Sequence, residues 1–352
     1  MGVVEMGVVI GWDIGGVHLK AARAEGGRIT KVAQYAAPLK AGTERVQQAL
    51  AQARADLCDD LGDDLGEAER HVVTMTGELA DTFASRREGV ERLTALAVQE
   101  LGAVSIYAGP AGCVDPQEAP ARTAEIASAN WHACATLVAR NRANALFIDL
   151  GSTTTDIIPI VDGKVAARGY TDAQRLAAGE LVYTGLVRGF VMATANRAPL
   201  RGVWTPLVNE NFATMADVHR ILGTLPPGVD LMPTADGREK TVAASRVRLA
   251  RMLGADAADE DDGTWALLAR WFAEAQLRAI ADATMLVLSS GALRPPVPVI
   301  AAGIGLAATA EVARRSGCPC ATFDELFDDA PELRAAVCQC APASALAVLF
   351  SA

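Results

Sequence analysis

Ile10-Gly11-Trp12-Asp13-Ile14-Gly15-Gly16-Val17-His18-Leu19-Lys20 decides the reading of this chain, because Leu146-Phe147-Ile148-Asp149-Leu150-Gly151-Ser152-Thr153-Thr154-Thr155-Asp156 repeats its pattern. Each stretch is an apolar strand, then Asp, an apolar residue, Gly and a small residue, then a return to strand character. Glycine at such a turn lets backbone approach a ligand closely, and successive N–H groups can cradle phosphate oxygens. An aspartate at the strand end can hold a hydrated Mg²⁺ that bridges to phosphate. One Asp-x-Gly is an ordinary strand-to-turn junction. Two matched copies, with a third glycine-bearing strand end at Ala302-Gly303-Ile304-Gly305, are not explained that way.

Outward from these stretches, strand and helix patterns alternate. Residues 8–12, 72–75, 105–108 and 145–148 read as strands. Residues 42–57, with Thr43 as N-cap, and 88–101 and 125–138 carry apolar residues at helical spacing. The alternation predicts an α/β fold with helices covering a sheet. In the second half, 156–161 and 165–168 flank Asp162-Gly163 as a β-hairpin. Strand character fades over 186–262, where prolines punctuate short segments, and this reads as a helical insertion; 255–263, at its end, reads as an acidic, solvated loop. A long helix over 264–288, a buried strand over 297–301 and an apolar helix over 343–349 follow. The expected organisation is an N-terminal lobe over 1–140, a C-terminal lobe over 141–330, and a C-terminal helix over 331–352 packing back between them.

The 352 residues are 51% hydrophobic and 21% charged, which supplies a core and excludes a disordered chain. Net charge is −10 and no basic stripe is present, so a nucleic-acid partner is not expected. No run of about 18 apolar residues predicts a membrane span. The N-terminus carries Glu5 and no basic flank, so it is not expected to be a signal peptide, and MGVV at both Met1 and Met6 makes Met6 an expected alternative start. Seven cysteines, an odd number, suit reduced thiols and a cytoplasmic location. Cys318-Pro319-Cys320 and Cys338-Gln339-Cys340 are spaced too tightly for a zinc ribbon, and the four histidines show no ligand spacing.

Together the three strand ends resemble the two phosphate loops and the distal nucleotide loop of the actin-like ATPase superfamily, whose ribonuclease H-like fold has two α/β lobes. Further segments narrow the resemblance to the hydantoinase/oxoprolinase branch, in particular to proteins of tetrahydromethanopterin-linked one-carbon metabolism. They are Thr74-Met75-Thr76-Gly77-Glu78-Leu79-Ala80-Asp81, Asn130-Trp131, Gly179-Glu180-Leu181-Val182-Tyr183-Thr184-Gly185, 214–223, and Thr234-Ala235-Asp236-Gly237 with 246–253. Archaeal members of that branch look like methanofuran-biosynthesis synthases, and bacterial ones sit in methylotrophs. The resemblance implies a transferase that joins an aminomethylfuran diphosphate to the phenol of γ-glutamyltyramine, or of a polyglutamyl variant, with Mg²⁺ as cofactor. ATP is the less favoured ligand, and the resemblance leaves room for a homodimer.

Carried onto this sequence, Asp13 and Asp149 would hold Mg²⁺ or its waters. Gly15, Gly16, Lys20, Gly151, Ser152, Thr153, Thr154 and Gly303 would line the diphosphate. Glu78 and Asp81, three apart, share one face if a helix begins there, and can serve as a base or hold the substrate's aminomethyl cation. Asn130, Trp131, Glu180 and Tyr183 would shape the acceptor pocket. Two alternatives stay open: an ATP-dependent kinase or lactam hydrolase of the same fold, and a non-catalytic module of that fold.

Overall fold

The computed structural model describes residues 7–59, 69–327 and 331–351. The alternative start at Met6 lies outside them. The chain forms two compact units, one of Met1–Ala145, Pro159–Gln174 and Ala321–Ala352, the other of Leu146–Ile158 and Arg175–Cys320. Chain order alone placed boundaries at 140 and 330; contacts instead group 159–174 and the C-terminal segment with the first unit.

The first unit is built on a six-stranded sheet of order β3-β2-β1-β4-β5-β6. Its strands are β1 (Val8–Ile14), β2 (His18–Glu25), β3 (Arg28–Ala36), β4 (Glu69–Met75), β5 (Val104–Tyr107) and β6 (Cys113–Val114). β1 is buried from Val9 to Ile14 without alternation, as a central strand covered on both faces must be. It pairs antiparallel with β2 and parallel with β4. Helix α1 (Glu44–Cys58) turns Val46, Leu50, Ala53 and Leu57 inward. Thr43 stands at its N-cap without a side-chain capping bond. Helix α2 (Arg86–Leu101) is capped by Ser85, whose side chain accepts the Glu88 N–H. The single helix expected over 125–138 is instead two, α3 (Thr123–Ile126) and α4 (Asn130–Asn141). Ser128 breaks them apart with φ of 54°, a left-handed conformation that helix cannot continue through.

The second sheet has the order β10-β8-β7-β13-β14, with β9 beside β8. It uses β7 (Ala145–Leu150), β8 (Thr155–Val161), β9 (Lys164–Val165), β10 (Leu181–Val182), β13 (Val299–Gly303) and β14 (Cys320–Thr322). Asp162 and Gly163 have φ of 50° and 70°, the paired positive values that a tight two-residue hairpin needs, so the predicted turn forms. Helix α5 (Asp172–Ala178) precedes β10. The insertion holds α6 (Val191–Thr194), α7 (Met215–Leu222) and α8 (Val242–Arg251), and it adds an unexpected hairpin, β11 (Arg197–Leu200) with β12 (Val203–Pro206). These pack on the long helix α9 (Asp262–Leu288) in a core of their own that includes Met215, Leu249, Trp265 and Phe272. Helix α10 (Leu306–Arg315) follows β13.

The C-terminal helices are α11 (Arg334–Gln339) and α12 (Ala341–Leu349). Helix α12 belongs to the first unit and packs on β1 and β2. Gly11 makes this possible: a side-chain carbon there would stand 2.1 Å from the Ala343 carbonyl oxygen. Among the described residues no single helix is long and apolar enough to cross a membrane.

Candidate functional site

The two Asp-x-Gly stretches fold into the same backbone device. The Gly15 N–H donates to His18 O at 2.9 Å, and the Gly151 N–H donates to Thr154 O at 3.0 Å. Each closes a tight turn directly after a central strand in which the aspartate is the last residue but one. The residue after each aspartate is anchored alike. Ile14 O accepts the N–H groups of Thr76 and Gly77, both at 3.0 Å. Leu150 O accepts those of Ile304 and Gly305, at 2.9 and 3.0 Å. Thr76-Gly77 in the first unit is therefore the counterpart of Ile304-Gly305 in the second. That equivalence was invisible in sequence, where the two segments share one glycine.

In the first unit, Asp13 is buried at 5% exposure, and its Oδ1 has no hydrogen-bond partner among the described residues. Burial pushes its pKa up to about 6, against the opposing pull of Lys20, its cross-strand neighbour. An orphaned oxygen inside a core costs free energy unless something pairs with it.

Glu78 lies just beyond Thr76-Gly77 and is buried at 1% exposure, whereas Asp81 is exposed. No helix begins between them. Ala80 and Phe83 close successive turns onto Gly77 O and Ala80 O, and α2 starts only at its Ser85 cap. The two carboxylates therefore do not act as one helix face. Ser128 Oγ lies 2.9 Å from Glu78 Oε1 and 3.4 Å from Asp172 Oδ2, and Arg86 pairs with Asp172 at 2.7 Å. Glu78 Oε2 is buried without a partner among the described residues. Burial pushes the Glu78 pKa up to about 7, outweighing the Ser128 hydrogen bond.

Beside this group, Trp131 packs against Tyr170 and His132, at ring separations of 5.7 and 5.4 Å. His132 Nδ1 is 2.8 Å from the Tyr107 hydroxyl, and burial holds its pKa down at about 4, so the ring is neutral. Trp131 is 2% exposed and Asn130 half-buried at the start of α4.

In the second unit, the pairing of β7 with β13 brings Asp149 and Gly303 together; a side-chain carbon on Gly303 would stand 2.4 Å from Asp149 Oδ1. Residues 184–188 brace the back of the Ser152–Thr153 turn. Leu186 N–H donates to Gly151 O at 3.0 Å, and the N–H groups of Val187 and Arg188 both donate to Ser152 O, at 3.2 and 2.8 Å. Gln276 on α9 fixes this brace, its amide nitrogen donating to Thr184 Oγ1 and Gly185 O, both at 2.9 Å. His219 on α7, kept neutral by burial, donates from Nε2 to Gln276 Oε1 at 2.9 Å. Sequence reading missed both residues, for nothing local marks them. Glu180 is fully buried and Tyr183 is 59% exposed, so the pair expected to line one pocket differ sharply in access. Among the described residues no cluster of three metal-ligating side chains occurs, and none of the seven cysteines is in a disulfide.

The hydantoinase/oxoprolinase family model matches residues 69–324. A protein of Methanocaldococcus jannaschii described as "(4-{4-[2-(gamma-L-glutamylamino)ethyl]phenoxymethyl}furan-2-yl)methanamine synthase" is 32% identical over 251 residues, 71% of this chain and 72% of its own. A synthase of the same description from Methanococcus vannielii is 36% identical over 113 residues, 32% of this chain and 50% of its own. Among solved structures, nucleotide-free acetone carboxylase superposes with a TM-score of 0.58 at 11% identity, over 96% of this chain and 70% of that one. At that identity the likeness concerns the fold alone, and it agrees with the α/β architecture expected of the actin-like ATPase type.

Proposed function

The chain belongs to the hydantoinase/oxoprolinase family, and we propose on that premise that it is an ether-forming transferase of methanofuran-type cofactor synthesis. Its substrates are an aminomethylfuran diphosphate and the phenol of γ-glutamyltyramine. The observation that carries this reading is the 32% identity over 251 residues to a synthase whose printed name describes that ether. The duplicated turns support it, since a diphosphate leaving group needs a cradle of N–H groups and small side chains.

In the proposed reaction the furfuryl carbon–oxygen bond breaks and diphosphate departs with the electron pair. The furan oxygen spreads the positive charge left on carbon. The phenol oxygen then bonds to that carbon and loses its proton. Asp13 fits a role toward Mg²⁺ because its Oδ1 is buried and orphaned; the ion, held there through its waters, would supply positive charge to the leaving group. Gly15, Gly16 and Lys20 serve the same loop. Gly151 to Thr154 and Gly303 are assigned to the diphosphate, and Asp149 to Mg²⁺ or its waters. Glu78 is assigned the phenol proton, since a base poised near neutrality works best at neutral pH. Asp81, exposed, is left to the aminomethyl cation of the substrate.

The Glu78 assignment has a pH signature. Activity should rise as pH increases through about 7, the pKa of Glu78, because only the ionised carboxylate accepts a proton. Glu78→Gln should flatten that limb and lower kcat by about tenfold. This is less than the roughly 10²–10⁴-fold typical of a general base, because the proton can leave after the carbocation has formed. An unchanged limb in the variant would remove Glu78 from proton transfer. The reaction itself is tested by incubating the protein with both substrates and Mg²⁺ and following the ether by mass spectrometry.

A further inference from the structure

The first phosphate turn carries its own cation, for Lys20 stands opposite Asp13 in the β1–β2 register. Counting the same interval on from Asp149 reaches Asp156, which is buried and ion-paired with Arg175. The second turn as chain order supplies it thus brings two aspartates, Asp149 and Asp156, and no lysine. A diphosphate carries several negative charges, and beside Asp149 it needs a positive partner.

We infer that Arg188 is that partner, the residue through which the Ser152–Thr153 turn binds a phosphate oxyanion. The inference rests on the diphosphate reading above and adds a binding residue to it. Three observations carry it. The Arg188 N–H donates to Ser152 O at 2.8 Å, so its backbone is fixed to the turn. Its guanidinium Nη1 reaches Thr153 Oγ1 at 3.4 Å, which places the charge at the hydroxyls expected to meet the diphosphate. The side chain is exposed, and it makes no ion pair among the described residues. A guanidinium offers two parallel N–H groups to a phosphate, which suits it to this task better than an ammonium.

The test is calorimetric titration of the full chain with inorganic diphosphate and Mg²⁺. R188A is expected to bind about tenfold more weakly or worse, as loss of a charge-assisted hydrogen bond implies. R188K should fall between it and the wild type. R278A, on the exposed face of α9, should bind as the wild type does. R188A binding diphosphate as tightly as the wild type would overturn the inference, as would a wild type that binds no diphosphate. A purely structural arginine would lower the melting temperature and leave binding untouched. If Arg188 governs diphosphate binding but the wild type makes no ether, the arginine stands and the ether reading falls.

Discussion

Asp13→Asn is expected to lower turnover by about 10²-fold, the usual scale for losing one electrostatic element at a reacting centre, while making the metal-free protein more stable at pH 8. Both effects come from one buried carboxyl. Its pKa rises from 3.8 to about 6 because burial penalises the charge. A carboxyl raised in this way contributes stability that is full below pH 3.8 and is lost as pH rises through 6. Above that value the folded protein carries a buried charge that Lys20 offsets only in part, at a cost of about 3 kcal/mol. Asparagine keeps the shape and removes the charge. In EDTA, the variant should therefore melt several degrees higher than the wild type at pH 8, with the advantage shrinking at pH 5. Thermal scans at the two pH values check the stability half, and kcat at saturating Mg²⁺ checks the other. A variant that is no more stable at pH 8, or that turns over normally, would show that Asp13 holds no charge in reserve for a ligand.

Gly185→Ala should weaken binding of inorganic diphosphate by about 10- to 10²-fold, the scale of losing a charge-assisted hydrogen bond. A methyl group there would lie 2.4 Å from Ser152 C and from Thr153 N. Those are backbone atoms of the turn, so no side chain can swing aside to make room. Either the turn shifts forward or residues 184–188 lift away, and the latter breaks the N–H bonds to Gly151 O and Ser152 O. Gly263→Ala, in the first turn of α9, meets no atom closer than 3.4 Å and is expected to bind normally. Calorimetry with diphosphate, beside circular dichroism to verify folding, separates loss of the turn from loss of the fold. Normal affinity in Gly185→Ala would mean that diphosphate does not rest on the Ser152–Thr153 turn.

What sequence could and could not reveal follows from how local each signal is. Asp13-Ile14-Gly15 and Asp149-Leu150-Gly151 were legible because strand, aspartate and turn follow within a few residues. The Asp162-Gly163 hairpin was legible for the same reason. The break at Ser128 was not, because Ala127-Ser128-Ala129 contains no Gly or Pro, and tertiary packing decided it against propensity. Glu78 and Asp81 parted company because two turns, not a helix, carry the chain from one to the other. Arg188 and Gln276 were out of reach. Their partners lie 35 residues away in one case and 92 and 91 in the other, and nothing local marks either residue.

On the proposed reading, this protein makes an aryl–furfuryl ether at the expense of a carbon–diphosphate bond. The direct measurement is a nucleotide-free incubation with aminomethylfuran diphosphate, γ-glutamyltyramine and Mg²⁺, with ether quantified by mass spectrometry and diphosphate by a coupled assay. Ether and diphosphate accumulating in equal amounts is the predicted result. No ether without ATP, or ether formation accompanied by release of ADP, would contradict it.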